Sequence, residues 1–163
     1  LLAGGQIEEQ YEMEVTRRQL MVFGGGAVVA LAISLRPDGA FAAADEVEKI
    51  INEFTGGKSA ASGKVSLSTP EIAENGNTVP ITVDVESAMT ETDYVDSVLI
   101  LAEGNPRPGV ATFHFTPMSG EASATTRIRL AETQNVVAVA KMSSGDVFMD
   151  KKLVKVTIGG CGG

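Results

Sequence analysis

From Val79 to Glu86 every second side chain is apolar: Val79, Ile81, Val83 and Val85 alternate with Pro80, Thr82, Asp84 and Glu86. Only an extended strand, whose successive side chains point to opposite faces, puts such a run half in a core and half in water. The pattern recurs. Thr126, Ile128 and Leu130 oppose Thr125, Arg127 and Arg129, and Val154, Val156 and Ile158 oppose Leu153, Lys155 and Thr157. Turn-forming stretches separate the runs: Asn75-Gly76-Asn77, Asn105-Pro106-Arg107-Pro108-Gly109, Ser119-Gly120 and Ser144-Gly145-Asp146. They delimit about seven strands, near 64–68, 79–87, 95–103, 110–116, 123–131, 135–142 and 147–158. Seven short alternating strands at this spacing predict an all-β domain, an immunoglobulin-like antiparallel sandwich. With one Cys and no Trp, it has neither the inter-sheet disulfide nor the buried tryptophan of antibody domains.

A short helix is expected ahead of the strands, over 45–54. Asp45 would cap it, with Glu48 completing a capping box. Val47, Ile50, Ile51 and Phe54 form one apolar stripe at helical spacing, and Gly56-Gly57 ends the helix.

Two strands break the alternation. Val98-Leu99-Ile100-Leu101-Ala102 and Val136-Val137-Ala138-Val139-Ala140 are apolar on both faces. In an immunoglobulin-like order they are the third and sixth strands, neighbours in one sheet. One face packs in the core. The other is covered either by the helix or a long loop, or by a partner, since an exposed apolar patch marks an interface. The reading adopted from sequence is a partner interface comprising Val98, Leu99, Ile100, Leu101, Val136, Val137 and Val139. Which of these side chains face outward is not fixed by sequence.

The first 44 residues read as an export region. Arg17 and Arg18 precede the apolar run Val22 to Leu35, and Ala40-Phe41-Ala42-Ala43-Ala44 precedes the acidic start Asp45-Glu46. A basic pair, an apolar segment and an Ala-x-Ala site together make a twin-arginine signal, with cleavage expected near Ala44-Asp45. At 14 residues, the run 22–35 is short for a membrane span, which needs ~20 apolar residues. The expectation is a periplasmic protein with no stable membrane anchor after cleavage. Residues 1–12, with Glu8, Glu9 and Glu12 where a signal is basic, are expected to be non-native upstream sequence, and Met13 would open a more ordinary leader.

Removing 1–44 takes away three of the 13 basic and five of the 21 acidic residues, leaving a net charge of −6. An acidic surface argues against nucleic acid and anionic membrane as partners. It also sets no trap for a small free anion. The chemical inventory is sparse. His114 is the single histidine, expected on an outward face with Thr112 and Thr116, and Met89, Met118, Met142 and Met149 are scattered singly. A paired-histidine metal site is impossible and a copper site poorly supplied, so no metal and no cofactor are expected.

What remains is Cys161, within Gly159-Gly160-Cys161-Gly162-Gly163 directly after the last strand. An unpaired cysteine in an exported protein either makes an intermolecular disulfide or serves as a reactive thiol. Glycine has no Cβ, visits both signs of φ and adds almost no width. Gly159, Gly160, Gly162 and Gly163 therefore read as a flexible arm, 159–163, able to present the thiol in a narrow cleft. From Ile158 the sulfur-bearing residue reaches roughly 10 Å, at ~3.3–3.6 Å per residue. A catalytic cysteine needs a nearby cation or helix N-terminus to lower its pKa. The nearest basic residue in sequence is Lys155, so activation is expected from whatever the arm enters, as for a carrier rather than a catalyst.

The tail resembles the carrier tail of the SoxY family. So do Glu74-Asn75-Gly76-Asn77-Thr78-Val79-Pro80, Val110-Ala111-Thr112-Phe113-His114-Phe115-Thr116-Pro117 and Thr126-Arg127-Ile128-Arg129-Leu130-Ala131. The resemblance runs from about residue 45 to the end. It implies an immunoglobulin-like carrier domain, 45–158, paired with a signal-less SoxZ subunit. It further implies that SoxAX, a haem enzyme, joins thiosulfate oxidatively to Cys161, so that the substrate is carried as a cysteine S-thiosulfonate or persulfide. SoxB then removes sulfate, and SoxCD oxidises the remaining sulfur where it is present. Two other readings compete: an exported structural module tethered by a Cys161 disulfide, and a thiol or copper chaperone.

The twin-arginine route carries folded proteins, and a leaderless partner would have to cross with this chain. Replacing Arg17 and Arg18 by lysine is expected to strand both subunits in the cytoplasm, as cell fractionation would show. Normal export of the partner alone would contradict this.

Overall fold

The computed structural model describes residues 39–160, with side chains from Asp45 onward. Arg17, Arg18 and the rest of the expected leader up to 38 lie outside these residues, as do Cys161, Gly162 and Gly163.

One helix, α1 (Gly39–Thr55), precedes eight strands: β1 (Val65–Ser68), β2 (Ile72–Asn75), β3 (Val79–Val85), β4 (Val95–Ala102), β5 (Gly109–His114), β6 (Ala122–Ile128), β7 (Gln134–Met142) and β8 (Val147–Ile158). The strands form a two-layer sandwich. A three-stranded sheet has the order β1-β3-β6, and a five-stranded sheet the order β2-β8-β7-β4-β5. All pairings are antiparallel except β2 with β8.

The alternation read from sequence sets the inner face. Val79, Ile81, Val83 and Val85 are buried together with Ile128 and Leu130 from the β6 side. They meet Val98, Ile100 and Ala102 of β4, Val136, Ala138 and Ala140 of β7, and Val154 of β8. The third and sixth expected strands, β4 and β7, are indeed neighbours, in register from Val98↔Ala140 to Ala102↔Val136.

Three expectations change. Among the described residues the strands number eight, because β2 falls between the expected strands 64–68 and 79–87. Its four residues bury only Ala73 and leave Ile72 60% exposed, so no alternation of large apolar residues betrays it. The helix starts at Gly39 rather than Asp45, which sits inside it instead of capping it. Ala42, Ala43 and Ala44 are the best of helix formers, and nothing before Asp45 interrupts them. Its end is as expected. Gly56 and Gly57 take φ values of 66° and 79°, and the Gly57 N–H donates to the Asn52 carbonyl at 2.9 Å, closing a Schellman-type cap.

The third change concerns the partner interface. Val98, Leu99, Ile100, Leu101, Val136, Val137 and Val139 do not form an exposed patch; each is at most 6% exposed within the single chain. Val98, Ile100 and Val136 face the three-stranded sheet. Leu99, Leu101, Val137 and Val139 face the other way and pack with Val47 and Val147, flanked by Ile50, Ile51 and Phe54 of α1. The apolar stripe of the helix covers the outer face, so no partner is needed there.

This arrangement makes the outer face a second core. Leu101→Ala is expected to destabilise the isolated chain by ~2–5 kcal/mol, the range for large-to-small changes in a core, as urea denaturation would measure. A charge at Val137 that left the chain fully stable would contradict the packing.

Candidate functional site

The site is built where β8 runs out. β8 is twelve residues long, and its last residues pair with β2 in the register Ala73↔Val156 and Asn75↔Ile158. The turn after β2 therefore lies beside the first two residues of the tail. Asn77 N–H donates to Asn75 Oδ1 at 2.9 Å, an Asx-type turn that exposes the main chain of Gly76 to its neighbours.

Gly76 is the meeting point. Its N–H donates to the Ile158 carbonyl at 2.7 Å, and its carbonyl accepts from the Leu130 N–H at 2.8 Å. The Gly160 N–H in turn donates to the Leu130 carbonyl at 2.8 Å. Gly76 and Gly160 are both buried, whereas Gly159 and Ile158 between them and the sheet are exposed.

The fit leaves no room for a side chain. A Cβ on Gly76 would overlap the Leu130 carbonyl oxygen and lie 2.7 Å from Gly160 N. A Cβ on Gly159 would overlap the Ala131 carbonyl oxygen, and one on Gly160 would lie 2.8 Å from Gly76 O. Real Cβ atoms do not approach main chain so closely, so glycine at 159 and 160 is demanded by the domain itself. The expectation that both belong to a flexible arm meets a correction: their main chain is laid against the β2–β3 and β6–β7 turns. Cys161, Gly162 and Gly163 lie outside the described residues.

The turn that receives the tail is itself braced from within. Asn105 and Gln134, 4% and 6% exposed, are two of the few buried polar residues. Asn105 Nδ2 donates to the Arg129 carbonyl at 2.9 Å, and its Oδ1 accepts from Ala131 N–H at 3.0 Å and from Gln134 Nε2 at 2.8 Å. Gln134 Oε1 accepts from Gly104 N–H at 2.7 Å. This network fixes 129–131, the segment whose carbonyl holds Gly160. Sequence reading missed Gly76, Asn105 and Gln134. Gly76 and Asn105 had a signal in their turn motifs, and Gly76 also lies in the stretch Glu74–Pro80 that carries the family resemblance.

His114, by contrast, points into solvent on β5 with Thr112, while Phe113 and Phe115 pack against the core. Among the described residues, no three His, Cys, Asp or Glu side chains are placed to hold a metal ion, and no helix is long and apolar enough to cross a membrane.

The model of the family described as "Sulfur oxidation protein SoxY" matches residues 51–161, well over half the chain and through to Cys161. This chain belongs to the SoxY family. Among solved structures, it is similar to the sulfur carrier protein SoxY from Chlorobium limicola f thiosulfatophilum. The two are 29% identical over 71% of this chain and 99% of that one, with a TM-score of 0.59. It is also similar to superoxide reductase (Neelaredoxin) from Ignicoccus hospitalis, at 17% identity, 58% and 81% coverage and a TM-score of 0.52. At that identity the likeness shows a shared sandwich fold and nothing about chemistry. No curated protein matches.

Asn105→Ala would leave the Ala131 N–H, the Arg129 carbonyl and Gln134 Nε2 short of a partner. A buried polar group left unpaired costs ~1–3 kcal/mol, so a fall in stability of at least that size is expected in chemical denaturation. Exchange of the Ala131 amide is expected to accelerate with it. Unchanged stability would remove Asn105 from the support of the site.

Proposed function

We propose that this SoxY-family sulfur carrier holds its cargo covalently on Cys161 and presents it, in the periplasm, to enzymes of thiosulfate oxidation. The observation that carries the reading is the continuity of the family match through Cys161 on a tail whose root is built into the end of the sandwich.

The chemistry follows from sulfur. The Cys161 thiolate and the sulfane sulfur of thiosulfate join in a sulfur–sulfur bond, and the two electrons released pass to the haem enzyme, SoxAX. Cys161 then bears an S-thiosulfonate. Hydrolysis by SoxB breaks the bond between the outer sulfur and the sulfonate. Water oxygen leaves in sulfate and Cys161 keeps a persulfide, which SoxCD oxidises where present. The chain contributes a nucleophile and an address rather than catalysis, and it needs no resident cofactor.

SoxZ is the proposed permanent partner. The buried outer face of β4 and β7 is not available to it, so pairing must use other surfaces. The large exposed apolar side chains on the five-stranded sheet, Ile72 at 60%, Leu153 at 55% and Ile158 at 66%, lie on β2 and β8.

Cys161→Ser is nearly isosteric, but its hydroxyl cannot form a sulfur–sulfur bond. The variant is expected to fold and pair normally and to lose thiosulfate-dependent turnover entirely in the reconstituted system. Residual turnover at a tenth of the normal rate or more would rule out Cys161 as the attachment site.

A further inference from the structure

The contacts at the end of β8 tie the tail to the domain at a defined point. Ile158 O, Gly76 N and O, Leu130 N and O, and Gly160 N form a continuous relay of three main-chain hydrogen bonds of 2.7–2.8 Å. Three glycines make the approach possible, since a methyl group at 76, 159 or 160 would run into main chain rather than into a side chain able to swing away. Behind the relay, the buried Asn105 and Gln134 hold 129–131 in place.

We propose that the Gly76 and Leu130–Ala131 turns form a clasp on Gly159-Gly160, and that Gly76 is a positioning residue for the sulfur-bearing cysteine. The clasp moves the fixed point of the arm from Ile158 to Gly160. Cys161 then departs one residue from a fixed point, a Cα–Cα step of ~3.8 Å, rather than at the end of a three-residue tether of roughly 10 Å. An enzyme acting on the sulfur must therefore bring its cleft against this end of the sandwich, where Asn77, Glu132 and Thr133 are exposed around the clasp. The purpose of the clasp rests on the carrier reading; its geometry does not.

The test measures where the sulfur goes, independently of what it carries. Cys161 is the chain's one cysteine, so a second introduced at the exposed Glu121, just before β6 and away from the clasp, allows two nitroxide labels on the full chain. Pulsed electron–electron resonance then reads the distribution of distances between them. The expected result is a narrow distribution in this background, at least doubled in width by Gly76→Ala and by Gly159→Ala, and unaltered by Gly162→Ala, which adds the same methyl beyond the clasp. Should Gly76→Ala fail to fold, Gly159→Ala decides alone, since that residue is exposed and outside the core. Equal widths with and without the Gly159 substitution would overturn the clasp. Failure of the carrier reading would look different, leaving the distances as described while no sulfur is found on Cys161 of the unlabelled protein.

Discussion

Burial of β4 and β7 on both faces is the constraint from which the architecture follows. From Val95 to Ala102 only Asp96 escapes full burial, and β7 is buried throughout except at Asn135 and Lys141. A sheet with two apolar faces needs two covering layers, each removing apolar area worth ~25 cal/mol per Å² from water. The three-stranded sheet supplies one and α1 the other. With both broad faces of the central pair occupied, function is left to the edges and ends of the sandwich.

The end chosen is the one that β8 overruns. A twelve-residue strand, extended by parallel pairing with β2, carries the chain past the last rung of the sheet to the Gly76 turn. What touches the glycines there is main chain, chiefly the carbonyls of Leu130, Ala131 and Gly76. Such a setting holds a chain in place but does nothing to ionise a thiol, which needs a cation or a helix N-terminus. A carrier benefits from that division. In the proposed function, the charge that activates Cys161 is left to the enzyme that receives it.

Much of this was legible in the sequence, for a physical reason in each case. Strand β3 announced itself because one face is core and the other solvent. Helix α1 did so through Val47, Ile50, Ile51 and Phe54, which all pack as a stripe. The two-faced strands were equally plain, but a pattern apolar on both sides says that two layers exist, not which chain provides them. The sequence reading chose a partner where the domain's own helix does the work. The helix start was missed because alanine favours helix without marking a boundary. Strand β2 was invisible because four residues with one small buried side chain carry no period. That loss mattered most, since β2 is what sets Gly76 beside the tail. Without it, Gly159 and Gly160 read as free arm, and their close approach to the Ala131 and Gly76 carbonyls could not be foreseen.

Sulfur carried on Cys161 is directly visible to mass spectrometry of the native protein isolated during thiosulfate turnover. The expected result is a C-terminal peptide in which Cys161 bears added sulfur, as a thiosulfonate or a persulfide, that is released by a thiol reductant. A Cys161 found only as the free thiol, in a disulfide with another protein, or bound to metal would contradict the carrier reading.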